Sequence, residues 1–276
     1  MRIYLDTNAV QSTIDLYPSA ASLQEVFRTH GFELGLGMHV IYELGRAFSS
    51  PVSQDSTRPY LRILAEMDEI HYVPQARQLM DGEATHLRYG GRPLHVLSEL
   101  DRVATKSELY WMATGHTDGA RQFVERREAE IAEQHNRISA ASRRMVQEFF
   151  RQNPGAQATA RAFGGFREAL RPLWHAILAL DLPRVPRFFF DRAFARAEEF
   201  PIINTWLNCQ LHLDFLAWRS PDLPSRRRLD DYRHAIESNA TDLFVSGDAD
   251  LIELYPALNP FLQRLPWEEF AGTLRA

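Results

Sequence analysis

Two short apolar runs, one near each end of the chain, stop abruptly on aspartate. The first is Met1-Arg2-Ile3-Tyr4-Leu5-Asp6-Thr7-Asn8; the second is Asp242-Leu243-Phe244-Val245-Ser246-Gly247-Asp248-Ala249-Asp250. Runs this short and apolar read as buried strands of a parallel sheet. In open sheets of that kind, ligands bind beyond the carboxyl ends of the strands. Acids that close two such strands can share a divalent cation. The two runs therefore predict a metal site assembled from opposite ends of the chain.

The rest of the pattern decides what surrounds that site. Strand-like runs recur over residues 32–36, 69–73 and 261–265, and helical spacing over 19–30, 39–48, 59–67 and 75–87. Residues 51–57, rich in Pro, Ser and Asp, read as a loop. From residue 94 to 225 strand signals nearly vanish. Long helices are expected over 94–114 and 118–152, the second with Phe123, Ile131, Ile138, Met145 and Phe149 at roughly heptad steps. A further helix is expected over 202–218 and a linker over 221–224. The α/β pattern then returns with helices over 231–239, 250–255 and 267–274. The fold class is α/β with a central parallel sheet: a core of residues 1–90 and 226–276, interrupted by a large all-α insertion, 91–225. Both junctions of the insertion lie in the core, so it is expected to overhang the acidic pocket.

Composition narrows the partners. The formal net charge is only -5, so no global basic field draws the chain to nucleic acid, and such binding needs a local patch. Lys106 is the only lysine, and basic contacts would be made by planar arginines. Cys209, the single cysteine, excludes an internal disulfide and a cysteine-based zinc site, and suits a reducing, cytoplasmic setting. No apolar run approaches a membrane span, and the first residues lead straight into a strand without an apolar leader, which argues against membrane insertion and secretion.

The candidate acids are Asp6, Glu43, Asp231, Asp248 and Asp250. The elements that carry them can present all of them at one sheet edge. Converging carboxylates raise one another's pKa, and a hard cation relieves the repulsion. Oxygen donors without cysteine favour Mg²⁺ or Mn²⁺, and such sites serve phosphoryl chemistry. Each acid alone has a plainer use: aspartates after strands cap helices, and glutamates are common on helix surfaces. The joint pattern carries the reading. Arg226-Arg227-Arg228, just before Asp231, is open to two uses, a phosphate contact at the mouth of the pocket or a solvated linker. The tryptophans of the insertion read as core, and the arginines of its long helix as partners of neighbouring glutamates.

With these residues in hand, the chain resembles the PIN-domain nucleases. Asp6-Thr7-Asn8 after a short strand is similar to the family's opening motif, and Tyr42-Glu43-Leu44 to its second acid. Asp231-Tyr232-Arg233-His234 is similar to the third, where an aspartate opens a helix, and Ser246-Gly247-Asp248-Ala249-Asp250 to the fourth. Residues 262–270 resemble the closing strand and helix start. The insertion has no counterpart in the resemblance. What the resemblance implies is a PIN-like three-layer core and metal-dependent hydrolysis of RNA. Asp6, Glu43, Asp231 and Asp248 would hold Mg²⁺ or Mn²⁺, with Asp250 helping to ligate. Asn8, Ser246 and His234 would support them, and Arg226, Arg227 and Arg228 would meet the RNA. An antitoxin protein and a homodimer stay open as partners. A PIN-like module that no longer cleaves is the alternative. A phosphatase using Asp-x-Asp after the first strand is disfavoured, because Asn8 holds the second position.

Overall fold

A computed structural model describes residues 1–49, 51–90, 97–115, 117–220 and 226–276. Five strands form one sheet: β1 Arg2–Leu5, β2 Glu33–Gly37, β3 Ile70–Val73, β4 Leu243–Ser246 and β5 Gln263–Pro266. The order is β3-β2-β1-β4-β5, and every neighbouring pair is parallel. Tyr4 pairs with Gly35 on one side and Phe244 on the other, so β1 is central. Helices cover both faces of such a sheet, and its inner strands must be apolar throughout. Ile3, Tyr4, Leu5, Phe244 and Val245 are accordingly almost wholly buried. The chain builds outward from β1 to β3, then crosses back to lay β4 on the other side of β1. That reversal is the topological switch point, where a crevice opens at the carboxyl edge.

The local sequence explains what frames the crevice. The helix Thr7–Leu16 follows β1 directly and buries Ala9, Val10, Thr13 and Ile14. Met38–Arg46 follows β2 just as directly. At Gly37 a Cβ would fall 2.4 Å from Tyr4 Oη and 2.6 Å from Glu237 Oε2, so a side chain here would displace both buried groups. The loop expected over 51–57 is instead the start of a helix, Pro51–Glu66. Proline favours the first helical position, where its missing N–H costs nothing, so the same composition serves a helix start.

Every described element between residues 97 and 220 is helical, including Glu99–Thr114, Thr117–Gln152 and Pro201–Arg219. The junctions themselves, 91–96 and 221–225, lie outside the described residues, as do the side chains of Ile131 and Ile138. One apolar cluster joins the two parts, running from Ile3 and Leu36 through Leu109, Phe150, Phe166 and Ile203 to Tyr232 and Leu251. The Pro201–Arg219 helix is buried all round from Ile202 to Phe215. It packs on the Ala76–Tyr89, Arg226–Glu237 and Ala249–Leu258 helices of the α/β part. The Thr117–Gln152 helix backs Met38–Arg46, and Val124 and Met112 close over Gly45. These helices buttress the crevice from behind. Among the described residues, none between 97 and 220 lines the acidic pocket.

Candidate metal centre

Beyond the carboxyl ends of β1 and β4 lies a pocket of about 250 Å³. Asp6, Thr7, Asn8, Glu43, Arg46, Arg227, Asp230, Asp231, His234, Asp248 and Leu251 line it. The acids Asp6, Glu43, Asp231 and Asp248 thus come from four separate elements to one place.

Asp6 is buried and caps the helix that follows it: Oδ1 accepts from the Ala9 amide at 2.7 Å and from the Gly247 amide at 3.4 Å. Ser246 donates its hydroxyl to Oδ2. All these hydrogen-bond donors are neutral. Burial raises the Asp6 carboxyl above its ordinary value, and His234 and the hydrogen bonds pull back against it. Asp248 also caps a helix, with Oδ1 accepting from the amides of Asp250 and Leu251. Its other oxygen meets Arg227 Nη2 at 2.6 Å. Burial would raise Asp248, but Arg227 and the amides hold it below its ordinary value.

Asp231 does not open its helix. That helix begins at Arg226, and the arginine run forms its first turn instead of a linker. Arginine is a good helix former, and successive arginines give no apolar period by which a sequence could reveal the turn. The earlier start makes Arg228 and Asp231 an i, i+3 pair with Nη1 and Oδ2 3.1 Å apart. Burial pushes Asp231 up to about 6, with Arg228 pulling down and Asp248 pushing up. The Arg226 side chain lies outside the described residues. Asp250 is exposed and does not line the pocket; its amide serves Asp248.

Glu43 is held through one carboxylate oxygen by two partners. Thr7 donates a hydroxyl to Oε2, and His234 Nε2 lies 2.9 Å from the same oxygen. Burial works to raise this carboxyl, yet the imidazolium beside it holds it well below the ordinary range. Burial works to lower His234, and Glu43 overcomes it, raising His234 to about 9. Behind the ring, His234 Nδ1 lies 3.0 Å from the Tyr4 hydroxyl, which reaches Glu237 Oε2 at 3.3 Å. Glu237 is fully buried and accepts from the amides of His39 and Ala76, at the starts of two helices.

His39, Asp230 and Arg46 complete the site and were not singled out from the sequence. Arg46 Nη1 meets Asp230 Oδ2 at 2.9 Å. His39 Nε2 lies 3.2 Å from Asp230 Oδ1. Burial drives His39 down to about 4, so it is neutral at pH 7, and Arg46 is the ionic partner of Asp230. A signal was present: His39 and Glu43, and again Asp230 and His234, stand at i, i+4 spacing, which brings side chains together on one helix face. Among the described residues, the group of His and acid ligand atoms mutually within 4.8 Å is His39, Glu43 and His234, not the four acids. Each of those acids is turned to its own partner.

The donor set of Asp6, Glu43, Asp231 and Asp248 is all oxygen, which fits Mg²⁺ or Mn²⁺. The push of Asp248 on Asp231 is the repulsion such an ion relieves. No family model matches the chain, and neither a curated protein nor a solved structure does.

Proposed function

We propose that the chain is a metal-dependent ribonuclease with a PIN-like core, hydrolysing RNA phosphodiester bonds at this pocket. The observation that carries the reading is the convergence of Asp6, Glu43, Asp231 and Asp248, from four elements, at the switch point of a parallel sheet. Those carboxylates would hold Mg²⁺ or Mn²⁺. Such an ion lowers the pKa of water and shields the charge that develops on the phosphate. The chain's own residues prepare the ground. Ser246 and the amides of Ala9 and Gly247 fix Asp6, and His234 and Thr7 fix Glu43. Arg227, exposed at the pocket mouth, can leave Asp248 for a phosphate when a cation takes its place. RNA as substrate rests on the resemblance. An antitoxin protein would have to cover this mouth.

The test is a panel of RNAs and single-stranded DNAs incubated with Mn²⁺ beside an Asp6→Asn control. Cleavage of RNA by wild type alone supports the reading; equal cleavage by the control overturns it. A second reading is a PIN-like RNA- or protein-binding module that does not cleave. The observation in its favour is that Arg227, Arg228 and His234 already supply counter-charges to three of the acids. RNA retained on a filter with no product under any divalent ion would select it.

A further inference from the structure

We propose that His39, Glu43 and His234 form a second cation site, which takes a transition metal ion such as Mn²⁺, Fe²⁺, Co²⁺ or Zn²⁺ in preference to Mg²⁺. The proposal extends the nuclease reading, because Glu43 belongs to both sites.

The three residues each offer a ligand atom within 4.8 Å of the others. Proximity alone would not suffice, since histidines and glutamates often pair without an ion. His39 supplies the independent observation. It is completely buried; Nδ1 has no hydrogen-bond partner, and Nε2 has Asp230 Oδ1 at 3.2 Å. Buried polar atoms are almost always satisfied, and leaving one unpaired costs about 1–3 kcal/mol. The ring lies edge-to-face against His234 with centroids 4.9 Å apart, and one of its nitrogens comes within 4.8 Å of the ligand atoms of Glu43 and His234. A metal ion would satisfy what the protein does not.

The surroundings match how metal-binding imidazoles are held. A ligating histidine fixes its ring by bonding through its second nitrogen, and that bond sets which nitrogen is free for the ion. His234 does this: Nδ1 bonds Tyr4, Tyr4 bonds buried Glu237, and Nε2 is turned to Glu43. Asp230, 3.2 Å from His39, is a further oxygen at hand. Two imidazoles and a carboxylate suit first-row transition ions, whereas Mg²⁺ prefers oxygen and surrenders its waters reluctantly.

Metal-free protein would be titrated with Co²⁺, read by visible absorption, and with Mg²⁺, read by the shift in Tm. Wild type is expected to bind one Co²⁺ with visible bands. His39→Gln and His234→Asn are expected to weaken that binding by at least about tenfold. His39→Gln should keep the Mg²⁺ response, while Asp248→Asn should lose the Mg²⁺ response and keep Co²⁺. Co²⁺ binding without a Mg²⁺ response or cleavage would sink the nuclease reading and leave this proposal standing. Unchanged Co²⁺ affinity in His39→Gln would overturn it. Should the variants fail to fold, pulsed EPR of Mn²⁺-loaded wild type decides: imidazole nitrogen couplings are expected, and their absence refutes the site.

Discussion

Glu43 and Glu83 are both glutamates on helices that follow strands of the sheet, and the molecule treats them in opposite ways. Glu43 faces the pocket with His234 beside it and stays ionised. Glu83 lies in the seam between the Ala76–Tyr89 helix and the helical region, with no exposure at all. Its Oε1 accepts from the Ile202 amide at 3.1 Å and its Oε2 from the Ile203 amide at 2.6 Å. It caps the Pro201–Arg219 helix from a distant part of the chain. Burial pushes Glu83 up to about 8, and only the two amides pull it back. Asp214, within the helical region, is pushed to about 7 by burial, with Ser142 and Gln210 as hydrogen-bonding neighbours. Desolvation raises Glu83 and Asp214, whereas His234 and Arg227 hold Glu43 and Asp248 low at the pocket, where burial still raises Asp6 and Asp231. Charge retained next to an opening is available to a cation, and charge suppressed in a core serves packing.

The largest effect should separate the two kinds of acid. Asp6→Asn leaves an oxygen for the Ala9 amide, and Asn caps helices as well as Asp does. Its Tm in EDTA should stay within a few degrees of wild type, while nuclease activity falls by roughly 10²–10³-fold or more. A variant that melts far below wild type would mean that Asp6 is only a cap, and the contrast between pocket and seam would break.

Glu83→Ala should behave in reverse. It leaves two amides of a helix start buried and unpaired, at about 1–3 kcal/mol each. In a chain of this size each kcal/mol moves Tm by about 2–4 °C, so the loss should be plain in a melting curve. Activity measured well below Tm should be retained. Equal loss of activity and stability would make the seam part of the site.

What could be read in the sequence follows the same division. β1 and β4 were legible because strands buried on both faces are apolar throughout, and an acid at their ends stands out. The Thr7–Leu16 helix was not, because its N-cap is Asp6 itself and two of its buried positions are Ala9 and Thr13. Capping leaves an oxygen over: Asp6 and Asp248 each cap a helix with one oxygen, and the other meets Ser246 in Asp6 and Arg227 in Asp248. His39 and Asp230 were missed because each gains meaning only when two helices meet. Nothing local to Glu83 says that a later helix start will land on it.

Acidity gives a sharper test of the contrast. A carboxyl lowered by folding, as Glu43 is, stabilises above its unfolded value of 4.5, and the benefit is lost as pH falls through its folded value. A histidine raised by folding, as His234 is, stabilises fully below 6.5 and loses that benefit as pH rises through about 9. The pair therefore contributes most between about 4.5 and 6.5. Glu83, raised to about 8, does the opposite for an acid: its contribution is lost as pH climbs from 4.5 to 8. Urea melts in EDTA should show the gap between wild type and His234→Gln widest near pH 5.5 and narrowed at pH 9.5. A gap constant across that range would deny the ion pair.

The smallest effect concerns Arg227, the most exposed of the pocket's cations, with 68% of its side chain open to solvent. An ion pair held by so exposed a side chain is screened by water and salt, so Arg227→Ala should leave Tm in EDTA unresolved from wild type. The consequence should surface in RNA binding. If Arg227 exchanges Asp248 for a phosphate when a cation arrives, its removal deletes one counterion-releasing contact. The slope of log affinity against log salt should then flatten by about 0.7 for a single strand, with affinity at low salt falling more than at high salt. Mg²⁺ affinity should rise slightly, because the ion no longer competes with a guanidinium for Asp248. An unchanged slope with tighter Mg²⁺ would keep Arg227 as a counter-charge alone. That outcome would leave the phosphate contact to Arg228 or to residues outside the pocket.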